Sequence, residues 1–364
     1  MANFYASKEW VILLPPDVPD VKKATEDLSR CISLLAGITE GIVQKAPLVL
    51  DAHAPVPEGT THTIVLASDG SGAERNGFYW RVSPERIEIH GESSRGLCNG
   101  IYSFLAALGI SWPEIGQEIL PSPQVANLRV FPFSSGSGID EGIFEPSGYN
   151  GSDTAAAPWR RLVPAGLKEA KAILKKADVF VQWAARRRYD ALIFPMSIFA
   201  SRSGRKKLDE LQCLAAEYGI SLEAGGRELS SMVPRNMFLL HRDYFRMDGG
   251  HRKKDFHFCP TNPGAMNVIG KEGRRLFCSA PQVRVFHLWP DRGSGSLWCS
   301  CPTCRAFTPA EQNRIAVNAV ADVLSGIRSD ARITFFEKSG ENGNLPVREN
   351  LFRFEKLPDE REYR

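Results

Sequence analysis

Cys299, Cys301 and Cys304 place three thiols within six residues, with Pro302 between the second and third. Thiolates are ligands for borderline-soft divalent metals, and three of them with one further ligand complete a tetrahedral Zn²⁺ site. Cys278, Cys259, His257 and His287 are the fourth-ligand candidates. A site closed by four protein ligands keeps no open position, so such a zinc would be structural and would pin its loop. Reduced buried thiols are the competing reading, and a disulfide within the loop is a third. Two carboxylates also stand where strands should end. Asp291 closes VRVFHLWPD and Glu337 closes ITFFE. An apolar strand end suits Glu337 to proton donation. Asp291, beside Arg292, suits a nucleophile, a base or an acceptor for substrate hydroxyls. The plainer readings are an Asp291 that caps its own Pro-Asp-Arg-Gly turn and a Glu337 that pairs with Lys338 or an arginine.

Around these residues lie groups suited to hold a polar ligand. His287 and Trp289 alternate with Phe286 and Leu288, which puts the first two on one side of their strand. Glu223 and Arg227 follow another strand end, and Tyr149, Trp289 and Trp298 offer flat apolar faces. Each of these is also ordinary core material. The basic stretches Arg186–Arg188 and His251–Lys254 read as a helix end and a solvated loop, with acidic-ligand binding as the alternative.

Parallel β/α alternation would position these side chains. Beyond residue 135 the pattern predicts a short strand in 142–149, a long helical region over 158–188 and strands at 191–195, 220–223, 283–289 and 333–337, with helices at 206–218 and 309–327. Strands alternating with helices argue for a parallel sheet, whose natural closed form is the (β/α) barrel with its chemistry at the strand C-termini. Only about five units are legible, so an incomplete barrel is expected, and an open edge predicts cover by a loop or by a homo-oligomer. The excursion over 228–282 and the polar tail after Gly340 carry few strand signals.

Before the Ser/Gly-rich bridge FPFSSGSGIDEG the chain reads as an α+β unit. WVILL is a buried strand, and Asp20 can cap the helix that follows and ends at Gly37. Strands follow near 48–50 and 63–67, then a hairpin of Phe78, Trp80 and Val82 with Ile87 and Ile89, and then a helix stopped by Gly109. Residues 1–125 and 135–364 are the expected domains. The 364 residues carry 45 Lys+Arg against 42 Asp+Glu, a net charge of +3, too small for a protein that tracks a nucleic-acid backbone. No apolar run approaches the ~20 residues of a membrane span. The N-terminus lacks a secretory pattern, so a cytoplasmic location is expected. Eight cysteines are too sparse for a disulfide framework.

The run GFYWRVSPERIEIHGESSRGLCNGIYSFLAALGISWPEIG resembles the N-terminal domain that precedes the barrel in glycoside hydrolases such as family 67 α-glucuronidases and family 20 hexosaminidases, with Gly96, Gly100, Tyr102, Phe104, Leu105, Gly109 and Trp112 matching. Asp243, Tyr244, Phe245, Cys259, Asn262 and Pro263, the Cys-x-Cys-x-x-Cys segment and Asn318 resemble the barrel family known as domain of unknown function 4838. The resemblance implies carbohydrate processing with a carbohydrate ligand and no organic cofactor. A glycosidase would then use Asp291 and Glu337 as its carboxylates, ~5 Å apart for retention or ~6.5–9.5 Å for inversion. His287, Trp289, Glu223, Arg227, Trp298 and Tyr149 would line the substrate site. The Asp-Glu pair of family 20 is absent at Pro290-Asp291-Arg292, so its substrate-assisted mechanism is not carried over. The alternative is a non-catalytic carbohydrate-binding or scaffold relative with a shortened barrel.

Overall fold

The structure is a computed structural model that describes residues 10–14, 19–40, 48–51, 54–58, 60, 62–68, 77–82, 86–121, 149–150, 161–164, 167–291, 298–337 and 344–354. The expected boundary between 125 and 135 lies outside these residues. The N-terminal sheet has strands β1 (Trp10–Leu14), β2 (Leu48–Asp51), β3 (His62–Ser68), β4 (Phe78–Val82) and β5 (Arg86–Gly91), in the order β2-β1-β3-β5-β4. Only the β4–β5 hairpin is antiparallel. Helices α1 (Lys22–Glu40) and α2 (Ser94–Ala107) bury Leu28, Ile32, Ile101 and Phe104 together with Ile64 and Ile87 of the sheet. Ser93 caps α2 by accepting from the Gly96 N–H. Helix α1 runs past Gly37, since one glycine costs only about 1 kcal/mol against the stripe that helix buries.

The second sheet holds β6 (Tyr149–Asn150), β7 (Arg161–Leu162), β8 (Ala191–Phe194), β9 (Ser221–Gly226), β12 (Val285–Leu288), β13 (Arg332–Phe336) and β14 (Leu351–Phe354). A small antiparallel hairpin, β10 (Met247–Asp248) and β11 (His251–Arg252), lies in the excursion after β9. Strands β7, β8, β9, β12, β13 and β14 are parallel and adjacent in chain order, and β6 adds antiparallel to β14. Helices α3 (Leu167–Ile173), α4 (Ala177–Arg186), α5 (Met196–Ala200), α6 (Arg202–Ala216), α7 (Pro263–Ser279) and α8 (Pro309–Ser325) fill the crossovers. The fold is α/β, an N-terminal α+β unit followed by a (β/α) barrel-like domain with seven strands among the described residues.

Two sequence expectations are corrected, and a third lies mostly outside the described residues. The helical region over 158–188 is a strand and two helices, because Arg161 and Leu162 join the ladder with Ala191 and Leu192. The strand expected over 142–149 is observed only at Tyr149–Asn150, and 142–148 lie outside the described residues. The tail is not strand-poor, since Leu351–Phe354 pairs in parallel with Ile333–Phe336. Phe352, Arg353 and Phe354 alternate, but the run is too short to stand out as a strand, and it is the pairing with β13 that makes it one. Among the described residues, no helix is long and apolar enough to cross a membrane.

The two faces of the barrel sheet differ. Leu192, Phe194, Leu222, Ala224, Phe286, Leu288, Ile333 and Phe335 face the helices and join the main core. Val163, Ile193 and Trp289 form a separate inner cluster with Phe336 against it. The N-terminal unit docks through buried polar contacts. Arg95 and Asn99 of α2 donate to Asp190, just before β8, at 3.3 and 3.0 Å. Arg186 at the end of α4 donates to Asp27 of α1 at 3.0 and 2.9 Å.

Candidate active site and metal centre

Period-2 alternation puts Arg161, Glu223, His287 and Thr334 on the inner face, and all four are buried. The Arg161 guanidinium donates to both Glu223 oxygens at 2.7 and 3.2 Å. His287 Nε2 lies 2.8 Å from Glu223 Oε2, and its Nδ1 lies 2.6 Å from Thr334 Oγ1. Trp289 Nε1–H donates to the same hydroxyl at 3.0 Å. Burial would raise the Glu223 carboxyl, but Arg161 and His287 together outweigh it and hold it at about 2. Burial pushes His287 down, against the pull of Glu223, so the ring is neutral. The hydrogen bonds then set the protons. The ionised carboxylate takes Nε2–H, Thr334 donates its O–H to Nδ1, and it accepts from Trp289. Gly225 makes room for this packing. It has φ +116°, and a Cβ there would lie 2.1 Å from the His287 carbonyl oxygen.

Of the sequence-predicted substrate residues, Glu223, His287 and Trp289 thus meet each other inside the barrel and satisfy each other. Trp298 is buried with one face stacked on His257, at 4.1 Å and 11°. Arg227 donates to the Pro290 carbonyl at 3.4 Å, joining the loops after β9 and β12. Tyr149 pairs by its backbone with Phe354, and its side chain lies outside what is described.

The rim carries a carboxylate that sequence reasoning passed over. Glu228, two residues beyond Gly226, accepts the Met196 N–H at 2.6 Å. Burial pushes its carboxyl up to about 7, with the Met196 hydrogen bond opposing and the nearby charge of Asp291 adding to the rise. Asp291 is half-buried on the neighbouring strand's end, also within the electrostatic reach of Arg235. Arg235 spends its hydrogen bonds on the carbonyls of Ser230 at 2.7 Å and Lys254 at 3.5 Å. Glu337 has different company. Arg314 donates to both its oxygens at 2.9 and 2.7 Å, and Arg353 lies 3.6 Å away. The apolar strand end therefore does not leave Glu337 alone in a desolvated pocket. The signal for Glu228 was its position just past a Gly-Gly strand end.

The fourth thiol is Cys259. The ligand sulfurs of Cys259, Cys299, Cys301 and Cys304 all lie within 4.8 Å of one another, and all four residues are buried. Cys259 Sγ is 3.8 Å from Cys301 and 3.6 Å from Cys304. Metal–sulfur bonds of about 2.3 Å at tetrahedral angles require sulfur–sulfur edges of roughly 3.8 Å, so the cluster fits one metal ion. Of the other candidates, Cys278 is exposed, His287 is committed inside the barrel and His257 lies against Trp298. The Met247 N–H donates to Cys299 Sγ at 3.3 Å, and Arg252 approaches the same sulfur at 3.8 Å. Gln312 of α8 accepts the Cys299 N–H and donates to the carbonyls of Cys299 and Cys304, tying the loop to the barrel. Hydrogen bonds from Cys299 and Cys304 pull Cys259 well below the ordinary thiol range, whereas its bond to Cys259 pushes Cys304 well above it. Four sulfurs this close can all be thiolates only with a cation among them. The cluster can hold a structural metal.

No family model matches the chain, and no curated protein matches it. Solved structures do resemble it in fold. One is the chitobiase of Flavobacterium johnsoniae, with a TM-score of 0.50, 13% identity and 94% of this chain covered. Another is a GH138 enzyme targeting pectin rhamnogalacturonan II, with a TM-score of 0.51, 12% identity and 95% of this chain covered. The chain spans 52% and 38% of their respective lengths. At this identity the likeness establishes a glycoside-hydrolase-like fold.

Proposed function

We propose that the chain acts as a glycoside hydrolase whose working carboxylates, on its barrel domain, are Glu228 and Asp291. The observation that carries this reading is the buried Glu228 carboxyl, raised to about 7 and within electrostatic reach of Asp291, with the two residues following adjacent strands. Glycosidic cleavage uses a proton donor and a second carboxyl group, and Glu228 supplies a carboxyl whose proton is held up to about pH 7. Glu228 serves as the proton donor to the leaving oxygen. Asp291 serves as the partner carboxyl, with Arg235 within its electrostatic reach. Glu337, expected from the sequence as the acid, here has the supporting role of anchoring Arg314 and Arg353 beneath the rim. The ligand is a carbohydrate, and the fold likeness to chitobiase and a pectin-directed enzyme supports that class. The metal held by the four cysteines is zinc, whose lack of redox chemistry and tetrahedral sulfur preference match a closed structural site.

A panel of aryl glycosides that includes uronides tests the assignment. Glu228→Gln and Asp291→Asn should each lower turnover by about 100-fold or more, the usual worth of a positioned acid or base. Glu337→Gln should leave the rate on the folded fraction within a few-fold. Hydrolysis that survives both rim substitutions would remove the pair.

A further inference from the structure

The carboxylates and the cysteines lie on the same two connections. Glu228 opens the excursion between β9 and α7, and Cys259 lies near its return. Asp291 opens the connection between β12 and α8, and Cys299, Cys301 and Cys304 lie further along it. The excursion has little regular structure of its own. It holds short 3₁₀ turns, the two-residue pair Met247–Asp248 with His251–Arg252, and one bridge from Phe245 to Phe258. Segments built of short turns open more easily than long helices and strands unless they are tied down; this one is held internally by the two-bond Arg246–Asp255 pair and by contacts to the cysteine loop.

Besides Phe245 and Phe258, which are buried in the main core, a group of ties meets the cysteine loop. Ser300 donates its N–H and its hydroxyl to the Met247 carbonyl, both at 2.8 Å. His257 and Trp298, each within two residues of a cysteine ligand, form the stack next to the cluster. From there Arg235 reaches back. It bonds Lys254 on the returning limb and Ser230 on the outgoing limb, two residues beyond Glu228, and its charge acts on both His257 and Asp291.

We propose that the tetrathiolate zinc is a clasp that positions the rim. By joining the two connections, it holds Arg235 in place and thereby keeps Glu228 on the Met196 amide, within electrostatic reach of Asp291. The proposal builds on the reading of Glu228 and Asp291 as the working pair. Its test needs no sugar, so a failed glycosidase screen and a failed clasp are separate results.

The full chain, purified under reductant without added metal, should carry one zinc per molecule. Replacement by Co²⁺ should give the absorption of a tetrahedral four-sulfur site. Cys278→Ser, outside the cluster, should keep the metal, and Cys259→Ser should lose it. Should Cys259→Ser not fold, chelation and re-addition of Zn²⁺ to the unaltered chain take its place. Stripping the metal should speed amide exchange of residues 244–259, 298–306 and Met196 by about 10-fold or more, as expected of a local opening. The barrel strand Val285–Leu288 should keep its protection, and Zn²⁺ should restore the rest. Absence of stoichiometric metal, or an octahedral cobalt spectrum, would overturn the site. Met196 exchange that is unchanged without metal would overturn the clasp.

Discussion

Arg161 and Glu223 stand on strands separated by β8, yet their side chains close a two-bond ion pair across the inside of the barrel, at 2.7 and 3.2 Å. Curvature of the sheet brings alternate strands within reach of each other's long side chains. The pair is buried with His287 and Thr334, so the barrel is filled by a polar network as well as by apolar layers. A buried pair is weak evidence of net stability, but removing one partner strands the other.

Arg161→Met should therefore destabilise the fold by about 3 kcal/mol, the lower end of the range for an orphaned buried charge. It should also raise the His287 pKa, because Arg161 is one of the charges holding that ring down. Denaturant unfolding and histidine NMR titration read the two effects.

Thr334 connects two ring systems, donating to His287 and accepting from Trp289. Thr334→Val keeps the shape and leaves both ring nitrogens without that partner. The expected cost is about 2–3 kcal/mol, from two unsatisfied buried groups at 1–3 kcal/mol each, less what packing recovers. Thr334→Ser should restore most of it, as judged by equilibrium unfolding.

Acid should unfold the protein in two stages. His287 has a folded pKa below its unfolded value, so its stabilising contribution is complete above the unfolded pKa and falls away as pH drops through ~6.5. Glu223 is also depressed, to about 2. Its contribution is present above the unfolded carboxyl pKa of ~4.3 and is lost as pH falls from there toward 2. A His287→Gln variant should flatten the slope of stability between pH 6.5 and 5 while leaving the slope below pH 4. A slope between pH 6.5 and 5 that persists in the variant would show that other groups carry it.

Glu228 has the opposite sign. Its folded pKa of about 7 lies above the unfolded value, so burying its charge costs stability progressively as pH rises from the unfolded pKa through 7. Glu228→Gln keeps an acceptor for Met196 and should be more stable than the parent at pH 8. The gain should be on the order of 1–3 kcal/mol, given ~1.4 kcal/mol per pKa unit and partial solvent contact. The difference should vanish near pH 4. Thermal unfolding at the two pH values decides it.

His257 is buried with neither ring nitrogen in a hydrogen bond to the described residues, and burial, with Arg235 and Arg246, pushes it down to about 3. It packs as a neutral flat ring on Trp298. His257→Phe should thus be tolerated, with a change within ~1.5 kcal/mol as for other size-conserving swaps. His257→Ala should cost about 3 kcal/mol by opening a cavity against the indole. Both are measured by denaturant melts of the metal-loaded protein.

The sequence by itself determined the local periods. Alternation around VRVFHLW aimed His287 and Trp289 into the barrel, and the strand–helix rhythm after residue 190 announced a parallel sheet. The spacing of Cys299, Cys301 and Cys304 announced a metal loop, because a short loop with a proline brings three sulfurs together wherever it lies. What joins distant segments was not legible. Cys259 was one of four candidates for the fourth ligand, and only the path of the excursion brought it within 3.6 Å of Cys304. Leu351–Phe354 carries a short Phe-Arg-Phe alternation that does not stand out by itself, and its pairing with the edge of β13 made it a strand. The same holds for the carboxylates. Ile-Phe-Phe before Glu337 suggested a desolvated acid, but tertiary packing delivered Arg314 and Arg353 to it, and it left the desolvated position beside Asp291 to Glu228. Local sequence sets which way a side chain points, whereas the charges and ligands it meets there come from elements distant in the chain, and the proton affinity of a carboxylate depends on that company.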